Sequence, residues 1–460
     1  MDAETKAEKR QIDMLHGPLW NKIPMYALPV AATAILEQLF NASDVAVVGN
    51  FAEGSKTAAV AAVGSNSAII GLILNLFIGI ALGATVVIAN AIGRDDHKTV
   101  HKAVHTAILM ALFGGAGVTV VGELLAAPLL RSLQVPDDVF PLALLYLRIY
   151  LLGMPVILLY NFEAAIFRSI GDTRMPLEAL TLSGVVNVIL NLFFVIVLNM
   201  TVNGVAIATV LANCLSAFIL LNRLMKTDAP VHVILKSLRF DLKSFRSIMR
   251  IGLPTGIQTA VFSLSNIVIQ SAINSLGSVV MAASSAAFNI EIMAYDVLNS
   301  FSQACTTFTG QNFGAGKLKR CKKVLLLCLL EDAIATAAAI ALVLFLGKHV
   351  IALFNNDPQV IAIGYTRLVI ILSAYAFSMT YEVISGYLRG FGISLVPAIL
   401  TILGVCVVRI AWIQLVFPQS RTFRTIMLAY PVSLSLTAGL ILLALLYYRP
   451  VKRFAKVGTD

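Results

Sequence analysis

The chain has 460 residues, of which 58% are hydrophobic and 13% are charged, and its mean hydropathy is +0.87. An ordinary soluble domain is about half apolar and about one quarter charged, so this composition excludes an all-soluble globule, a disordered chain and a coiled coil. The apolar residues form long unbroken runs, whereas a membrane β-barrel would show alternating segments of roughly ten residues. We therefore expect an all-α integral membrane protein, in which each spanning helix takes roughly 20 residues.

The N-terminal segment MDAETKAEKRQIDMLHG is polar and lacks the apolar core of a signal peptide, so we expect a short cytoplasmic lead-in. Twelve apolar runs follow, near residues 23–49, 58–91, 103–125, 139–167, 177–198, 204–224, 251–275, 279–312, 324–346, 359–388, 397–417 and 427–448. The runs 58–91 and 279–312 are longer than one bilayer thickness, so we expect these two helices to tilt, bend or project into water.

The basic residues are distributed unevenly over the segments that connect the spans. With the N-terminus inside, 26 of the 34 lysines and arginines lie in inside segments, 5 in outside loops and 3 within spans. This bias follows the positive-inside rule and predicts that both termini are cytoplasmic. It also explains the net charge of +10 without a nucleic-acid partner.

Motifs of soluble enzymes and cofactor sites are missing from the sequence. The segment GQNFGAGKL at 310–318 lacks the spacing of a Walker loop, so we expect no ATP binding. The five cysteines form no CxxC pair, and the histidines form no metal site within a span. We therefore expect no enzyme activity, no cofactor and no structural metal.

The chain divides into two similar halves. The polar stretch 226–250 separates residues 1–225, with six spans, from residues 251–460, with six more. Pairs of identical residues lie 221 positions apart, namely Gly93 and Gly314, Lys98 and Lys319, Arg168 and Arg389, Gly171 and Gly392, and Pro176 and Pro397. Because each half has six spans, we predict two parallel six-helix pseudo-repeats, an architecture that suits a transporter with a cavity between two bundles.

A second pair of anchors lies at a slightly different offset. Arg148 and Glu163 recur as Arg367 and Glu382, both 219 positions later. We expect the two arginines to be structural, at the surface of each half. Arg409, in the eleventh predicted span, has no partner in the first half, and the sequence offers no account of it.

A few polar residues fall within the predicted spans, where a carboxylate costs about 2.5–3.5 kcal/mol on insertion scales. Glu37, Asn41 and Asp44 lie at i, i+4 and i+7, which is one face of the first span. Asp44 has no basic residue on its own helix, and a bound proton or Na⁺ would relieve its charge. We therefore predict that Asp44 couples ion binding to a conformational change.

The other polar residues within spans have a structural alternative. Asn187 and Asn191 lie at i, i+4 in the fifth span, and such amides often join helices by hydrogen bonds. Glu163 lies only five residues before Arg168, near the cytoplasmic surface, which favours a structural role. Asp296 and Glu382 belong to polar stripes on the eighth and tenth spans, where a functional and a structural role both remain open.

Seven segments in this order resemble the multidrug and toxic compound extrusion (MATE) family, and the resemblance covers almost the whole chain. They are ALPVAATAILEQLFNASDVAVVG (27–49), YLRIYLLGMP (146–155), FRSIGDTRMP (167–176), NVILN (187–191), GVAIAT (204–209), IGLP (251–254) and GQNFGAGK (310–317). The resemblance implies two six-helix lobes, cation-driven antiport, and export of amphipathic, often cationic compounds.

The resemblance also implies a cation site in the first half. The family's aspartate of span one falls on Asp44, its asparagine of span five on Asn187, and its threonine of span six on Thr209. The carboxylate that the family usually has four residues after the asparagine falls on Asn191, which is an amide here. One negative charge is thus lost, which weakens the expectation of Na⁺ and leaves protonation of Asp44 as a workable alternative.

We therefore expect a secondary active exporter that exchanges H⁺ or Na⁺ for a small amphipathic or cationic molecule. We predict that Glu37, Asn41, Glu163, Asp296 and Glu382 line the substrate cavity. We expect a monomer in the lipid bilayer of a bacterial inner membrane, without nucleic acid or ATP as partners. The alternatives are a lipid-linked precursor flippase of the same superfamily and a channel or non-transporting membrane scaffold.

Overall fold

In a computed structural model, residues 11–51, 56–354 and 356–457 are described, and they form helices and no strand. Helices are expected of a chain in lipid, because a helix satisfies its own backbone hydrogen bonds. Within the described ranges, ten helices are long and apolar enough to cross a membrane, and the number rises to twelve if each of two bent pairs is one span. The predicted all-α fold with twelve spans is confirmed.

In the described residues before the central polar stretch there are seven α-helices. They are α1 (Lys22–Phe51), α2 (Lys56–Gly93), α3 (His97–Ser132), α4 (Phe140–Leu152), α5 (Met154–Ser169), α6 (Arg174–Leu192) and α7 (Val202–Met225), with a π-helical segment at Phe193–Val197. Helices α4 and α5 form one bent pair, with an angle of 51° between them. The break coincides with Gly153 and Pro155, and proline lacks the N–H that would continue the hydrogen bonds of α4.

Nine α-helices follow the central stretch in the part of the chain that the structure describes. They are α8 (Leu242–Asn274), α9 (Ser278–Gly314), α10 (Leu318–Phe354), α11 (Pro358–Ser373), α12 (Tyr375–Gly390), α13 (Leu395–Thr401), α14 (Val408–Leu415), α15 (Phe423–Tyr448) and α16 (Pro450–Val457), and a π-helical segment, Ile402–Val407, joins α13 to α14. Helices α11 and α12 form the second bent pair, with an angle of 47°. Helices α2 and α9 are long, as predicted, but α3 and α10, with 36 and 37 residues, extend well beyond the predicted spans 103–125 and 324–346.

The described chain forms two compact units. The first unit contains Ala32–Ile92 and Asp96–Met249, and the second contains Asp13–Ala31, Gly93–Asp95 and the chain from Arg250 onward. The predicted halves, 1–225 and 251–460, make up most of these units. The units differ from the predicted halves at residues 13–31, which include the first part of α1, and at Gly93–Asp95, because both segments pack with the second unit.

The buried core of each unit is surrounded by exposed apolar side chains. In the first unit, small residues such as Ala84, Ala103 and Ala107 are fully buried where helices approach closely. Large apolar side chains point outward, with 66% of Phe113 and 74% of Leu124 exposed in the first unit and 81% of Phe345 in the second. Such exposure is expected for side chains that contact lipid tails rather than water.

The 221-residue repeat is visible in the backbone of the two units. The helix breaks at Gly153 and Ala374 are 221 positions apart. Gly171 and Gly392 have positive φ angles of 83° and 80°, in the left-handed region that favours glycine. This recurrence of an unusual conformation at the same offset supports duplication of one ancestral bundle.

The anchors at offset 219 are not structurally equivalent. Because the helix breaks lie at offset 221, Glu163 corresponds to Ile384, and Arg148 corresponds to Val369. Arg148 is half exposed and lies 3.4 Å from Glu123, as expected of a surface residue. Arg367 is only 2% exposed, so the expectation that it lies at the surface is wrong.

The predicted linker 226–250 is an ordered part of the first unit up to Met249. The N–H of Ile234 donates to Nε2 of His105 at 3.3 Å, and the N–H of Asp241 donates to Oγ1 of Thr106 at 3.1 Å. The Lys102 ammonium lies 3.3 Å from the Asp241 carboxylate. The segment is thus attached to the first turns of α3.

Residues 13–17, which we name the N-terminal strap, are held to the second unit through their carbonyl oxygens. Arg320 donates to the carbonyls of residues 14, 16 and 17 at 3.2, 3.0 and 2.9 Å. Lys22 donates to the carbonyls of residues 13 and 16 at 2.6 and 2.7 Å, and Lys317 donates to that of residue 15 at 3.1 Å. Three cations therefore bind five consecutive carbonyl oxygens.

Candidate functional site

The candidate site lies inside the first unit, where α1, α6 and α7 meet around one carboxylate. Asp44 of α1 is 5% exposed, and the side chains of Asn187, Asn191 and Thr209 around it are also buried. The resemblance placed the cation site on these four residues, and the structure brings all four together. Asn187 and Asn191 share a face of α6 because they are one turn apart.

Hydrogen bonds connect the four side chains. Nδ2 of Asn191 donates to Oδ1 of Asp44 at 2.6 Å, and Oγ1 of Thr209 donates to Oδ2 at 3.0 Å. Nδ2 of Asn191 also donates to Oδ1 of Asn187 at 3.1 Å, and Nδ2 of Asn187 lies 3.4 Å from Oγ1 of Thr209. Each oxygen of the Asp44 carboxylate thus accepts one hydrogen bond from a neutral group.

A glycine allows α1 and α6 to approach closely beside the site. A Cβ added to Gly184 would lie 1.9 Å from the ring of Phe40. Phe40 is one turn before Asp44, and Gly184 is one turn before Asn187, so this contact brings the two polar faces together. The wider π-helical turn begins at Phe193, two residues after Asn191. Such turns occur frequently at functional sites.

Two groups in the site have a second hydrogen-bonding option. The hydroxyl of Thr209 lies 2.9 Å from the carbonyl of Val205, so its single proton can serve either Val205 or Asp44. Oδ1 of Asn191 is buried and has no hydrogen-bond partner among the described residues. Rotation of this amide would present an acceptor instead of a donor to Asp44. The site can therefore form hydrogen bonds with Asp44 in both states, as a charged carboxylate that accepts and as a neutral carboxyl group that donates.

The other predicted cavity residues of the first unit lie in different environments. Glu37 is partly exposed and Asn41 is exposed, and both share the polar face of α1 with Asp44. Glu163 of α5 is fully buried, and neither of its carboxylate oxygens has a hydrogen-bond partner in the described chain. An ionised carboxylate in such a place is costly, so Glu163 is best accommodated as a neutral acid.

Asp296 and Glu382 belong to the second unit, on α9 and α12. Asp296 is partly exposed. Glu382 is 6% exposed, its Oε1 accepts from the Tyr295 hydroxyl at 3.0 Å, and its Oε2 lies 3.8 Å from Nη2 of Arg389. Glu382 therefore has both a hydroxyl donor and a cation within its own unit, in contrast to Asp44.

The sequence did not reveal the buried cations of the second unit. Nε of Arg367 donates to Oε2 of Glu291 at 2.9 Å, and both residues are buried. Arg409, for which the sequence gave no account, donates to Oγ of Ser433 at 2.9 Å, and its guanidinium lies 4.1 Å from the centre of the Tyr430 ring. These contacts join distant parts of the chain, so no local pattern predicts them.

Two further carboxylates of the second unit were not singled out from the sequence, although the apolar sequence around them could have indicated them. Glu331 and Asp332 lie side by side on α10, and Asp332 is fully buried. Adjacent acids inside the apolar run VLLLCLLEDAIATAAAIAL are unusual for a membrane helix, and that run could have indicated them. No group of three histidine, cysteine or acidic residues that could hold a metal is found among the described residues.

Comparison with protein families gives a clear result. The family model described as MatE matches residues 29–193 and 254–413, which is more than half of the chain. The chain belongs to the MatE family. The resemblance seen in the sequence is thus confirmed, and with it the conclusion that this chain is a membrane transporter and not an enzyme.

Relatives and solved structures extend this result over most of the chain. The probable multidrug resistance protein YpnP of Bacillus subtilis (strain 168) is 25% identical over 397 residues, which cover 86% of this chain and 88% of the relative. The probable multidrug resistance protein NorM of Thermotoga maritima is 27% identical over 402 residues, which cover 84% of this chain and 82% of the relative. A multidrug resistance MATE family transporter of the MOP superfamily, solved in an outward-facing conformation, superposes with a TM-score of 0.88 at 21% identity, covering 96% of this chain and 99% of that chain. That superposition supports the fold.

Proposed function

We propose that this MatE protein is a secondary active multidrug exporter, which exchanges H⁺ or Na⁺ for amphipathic or cationic organic compounds by alternating access. The observation that carries the proposal is the enclosed carboxylate of Asp44, whose two oxygens accept hydrogen bonds from Asn191 and Thr209. The names of the relatives YpnP and NorM, both probable multidrug resistance proteins, support the choice of substrate class.

The surroundings of Asp44 favour a proton as the coupling ion. The site contains one carboxylate, whereas a second carboxylate would be expected to strengthen the binding of a hard cation. The groups that face Asp44 are an N–H and an O–H donor, which suit a carboxylate without a bound metal ion. A proton needs one acceptor oxygen, and Asp44 supplies two. Na⁺ is the second candidate, since the oxygens of Asn187, Asn191 and Thr209 are available ligands after rotation of the amides.

Protonation would rearrange the site in a defined way. A protonated Asp44 donates a hydrogen bond from one of its oxygens. That oxygen then needs an acceptor, whereas the groups that face it now, the Asn191 amide and the Thr209 hydroxyl, are donors. The Thr209 hydroxyl then turns to the carbonyl of Val205, which is already 2.9 Å away. The Asn191 amide rotates, and its Oδ1, which has no partner among the described residues, accepts from Asp44. Contacts between α1 and both α6 and α7 change together, which is how ion binding would alter the shape of the first unit.

The proposal includes location and assembly. We place both termini in the cytoplasm, because 26 of the 34 basic residues then lie inside. The protein acts as a monomer in the inner membrane of a bacterium, in contact with lipid through its exposed apolar surface, and without ATP.

Efflux from vesicles tests this proposal. The purified chain is reconstituted, and export of a fluorescent organic cation is recorded under a pH gradient and, separately, under a Na⁺ gradient. We expect gradient-driven efflux by the wild type and its loss in Asp44→Asn, which preserves the shape of the side chain. Asp137→Asn, which changes an exposed carboxylate of the same unit, is the matched control and keeps full activity.

Two results would contradict the proposal. Unchanged efflux in Asp44→Asn would remove Asp44 from the coupling mechanism. Passive flux that needs no gradient of either ion would favour a channel, and transport of a lipid-linked pyrophosphate instead of the organic cation would favour a flippase.

A further inference from the structure

The pair of adjacent acids on α10 includes a carboxylate that the proposed mechanism does not use. Asp332 lies near the middle of this 37-residue helix and is 0% exposed. Its Oδ1 accepts a hydrogen bond from Oγ1 of Thr336 at 2.8 Å, one turn further along. Its Oδ2 is also buried and has no hydrogen-bond partner among the described residues. One oxygen is thus fixed by a donor, and the other is enclosed and unpaired.

The charged groups around Asp332 do not neutralise it. The carboxylate of Glu382 on α12 is close enough for the two negative charges to repel each other. The cation beside Glu382 is Arg389, whose Nη2 lies 3.8 Å from Glu382 and donates to Oγ of Ser302 at 3.1 Å. Among the described residues, no ion pair joins a cation to Asp332 itself, whose hydrogen-bond donor is the hydroxyl of Thr336.

A proton is the ligand that fits this environment. An isolated ionised carboxylate in apolar surroundings is far more costly than its neutral form, so such a group binds a proton. A monovalent metal ion would require several oxygen ligands, whereas hydrogen bonding here links Asp332 to the single hydroxyl of Thr336. Since Oδ1 accepts from Thr336, the proton belongs on Oδ2.

We propose that Asp332 is a second proton-binding site, located in the second unit, with its proton on Oδ2 and Thr336 as the positioning residue. The site is separate from Asp44, which belongs to the first unit. Because Glu382 repels the Asp332 carboxylate, any change in the partners of Glu382 changes how strongly Asp332 holds its proton. A positively charged substrate that approaches Glu382 would weaken this repulsion and favour release of the proton. This last step rests on the proposed export of cationic compounds, whereas the proton site itself does not.

Infrared spectroscopy of the purified full-length chain tests the site directly. A protonated carboxyl group has a C=O stretching band that a carboxylate lacks. We expect one such band to disappear in Asp332→Asn and to remain in Glu331→Gln, the matched control on the adjacent carboxyl. We expect Thr336→Val to move the same band to higher frequency, because a hydrogen bond to a C=O group lowers its frequency. Labelling of aspartate with ¹³C shifts the band downward and excludes a glutamate.

Three outcomes would overturn the proposal. The band is unchanged in Asp332→Asn, or it does not respond to Thr336→Val, or no aspartate band is present in the labelled wild type. The labelled wild type and Thr336→Val keep the test valid if Asp332→Asn does not fold. Addition of an organic cation should reduce the band by a measurable fraction. If the band is present but does not respond, the coupling to Glu382 is refuted. Efflux by Asp44→Asn separately tests the proposed function.

Discussion

Replacement of Asn191 by aspartate adds the second carboxylate that the family resemblance leads us to expect at this position, and the geometry predicts its effect. In Asn191→Asp, the donor to Asp44 is lost, and two carboxylates face each other across a contact that is 2.6 Å long in the wild type. Two unit charges at that separation repel each other by about 6 kcal/mol at an effective dielectric constant of about 20. This exceeds the cost of about 1–3 kcal/mol for leaving a buried acceptor without its hydrogen-bond donor. The pair must therefore share a proton or bind a cation.

Thermal unfolding in detergent, recorded in NaCl and in KCl of equal concentration, measures this cation binding. A cation that binds only the folded chain, at about 100 times its Kd, contributes about 2.7 kcal/mol to the free energy of unfolding. With an unfolding entropy of about 2.1 cal/mol/K per residue, this corresponds to a rise of about 3 °C in Tm. We expect this rise with Na⁺ in Asn191→Asp and a much smaller one in the wild type.

The control is Asn161→Asp, which introduces a carboxylate on α5 in place of an amide that donates to Ile157 of its own helix at 2.9 Å. We expect the Tm of this control variant to be the same in NaCl and in KCl. If the Tm of Asn191→Asp responds to Na⁺ no more than that of the wild type, and responds to pH no more either, then the two side chains are not in contact and the site geometry is wrong.

Three further changes test other parts of the structure. A Cβ at Gly115 would lie 2.3 Å from a backbone Cα of α5, so Gly115→Ala should reduce the free energy of unfolding by about 1–3 kcal/mol. Arg367→Met leaves the buried Glu291 without its cation, and we expect a loss of about 3–5 kcal/mol in denaturant unfolding. At the start of α8, the backbone N–H and hydroxyl of Ser244 hold the pKa of Asp241 below its usual range. Since the folded pKa is lowered, this stabilisation is present above about pH 4 and is lost as pH falls through the folded pKa, which hydrogen exchange of the first turn would detect.

Each of these has a control within the same chain. Gly117→Ala adds a Cβ with nothing within 4 Å, so equal destabilisation by both glycine variants would refute the close contact at Gly115. Adding Glu291→Gln to Arg367→Met should recover much of the loss, and no recovery would mean that the ion pair is not responsible. Asp241→Asn still accepts a hydrogen bond but does not titrate, so acid sensitivity that persists in this variant must come from another group.

The fold could be predicted from the sequence because its signals are local and repeated. Apolar runs locate the spans, and the offset of 221 residues reveals the duplication. The break between α4 and α5 had a signal at Gly153 and Pro155, whereas the break before Tyr375 lies in an apolar run without proline. The N-terminal ends of α3 and α10, HKTVHK and LKRCKK, were missed because they are polar. The C-terminal ends, AAPLLRS and GKHVIALF, are largely apolar, and they were missed because the predicted spans were ended too early.

The candidate site was predicted in part, because some of its residues give a local signal in the sequence. Asp44 interrupts an apolar helix, and Asn187 and Asn191 recur at a helical spacing, so each is visible along the chain. The contact of Arg367 with Glu291 joins residues 76 positions apart, and no periodicity connects them. The burial of Glu163 could not be predicted either, because its nearness to Arg168 in sequence indicated the surface.

The N-terminal strap is recognised by main-chain atoms, and this has a consequence for sequence variation. Carbonyl oxygens are the same in every amino acid, so the hydrogen bonds from Arg320 and Lys22 do not themselves select the side chains of the strap. Side-chain requirements remain at Met14, which is fully buried, and at Gly17, which has a φ of 68°. A mutational scan should find tolerance at the exposed His16 and the partly exposed Leu15, and intolerance at Arg320. Related proteins could therefore diverge at Leu15 and His16 and still retain the same anchored conformation.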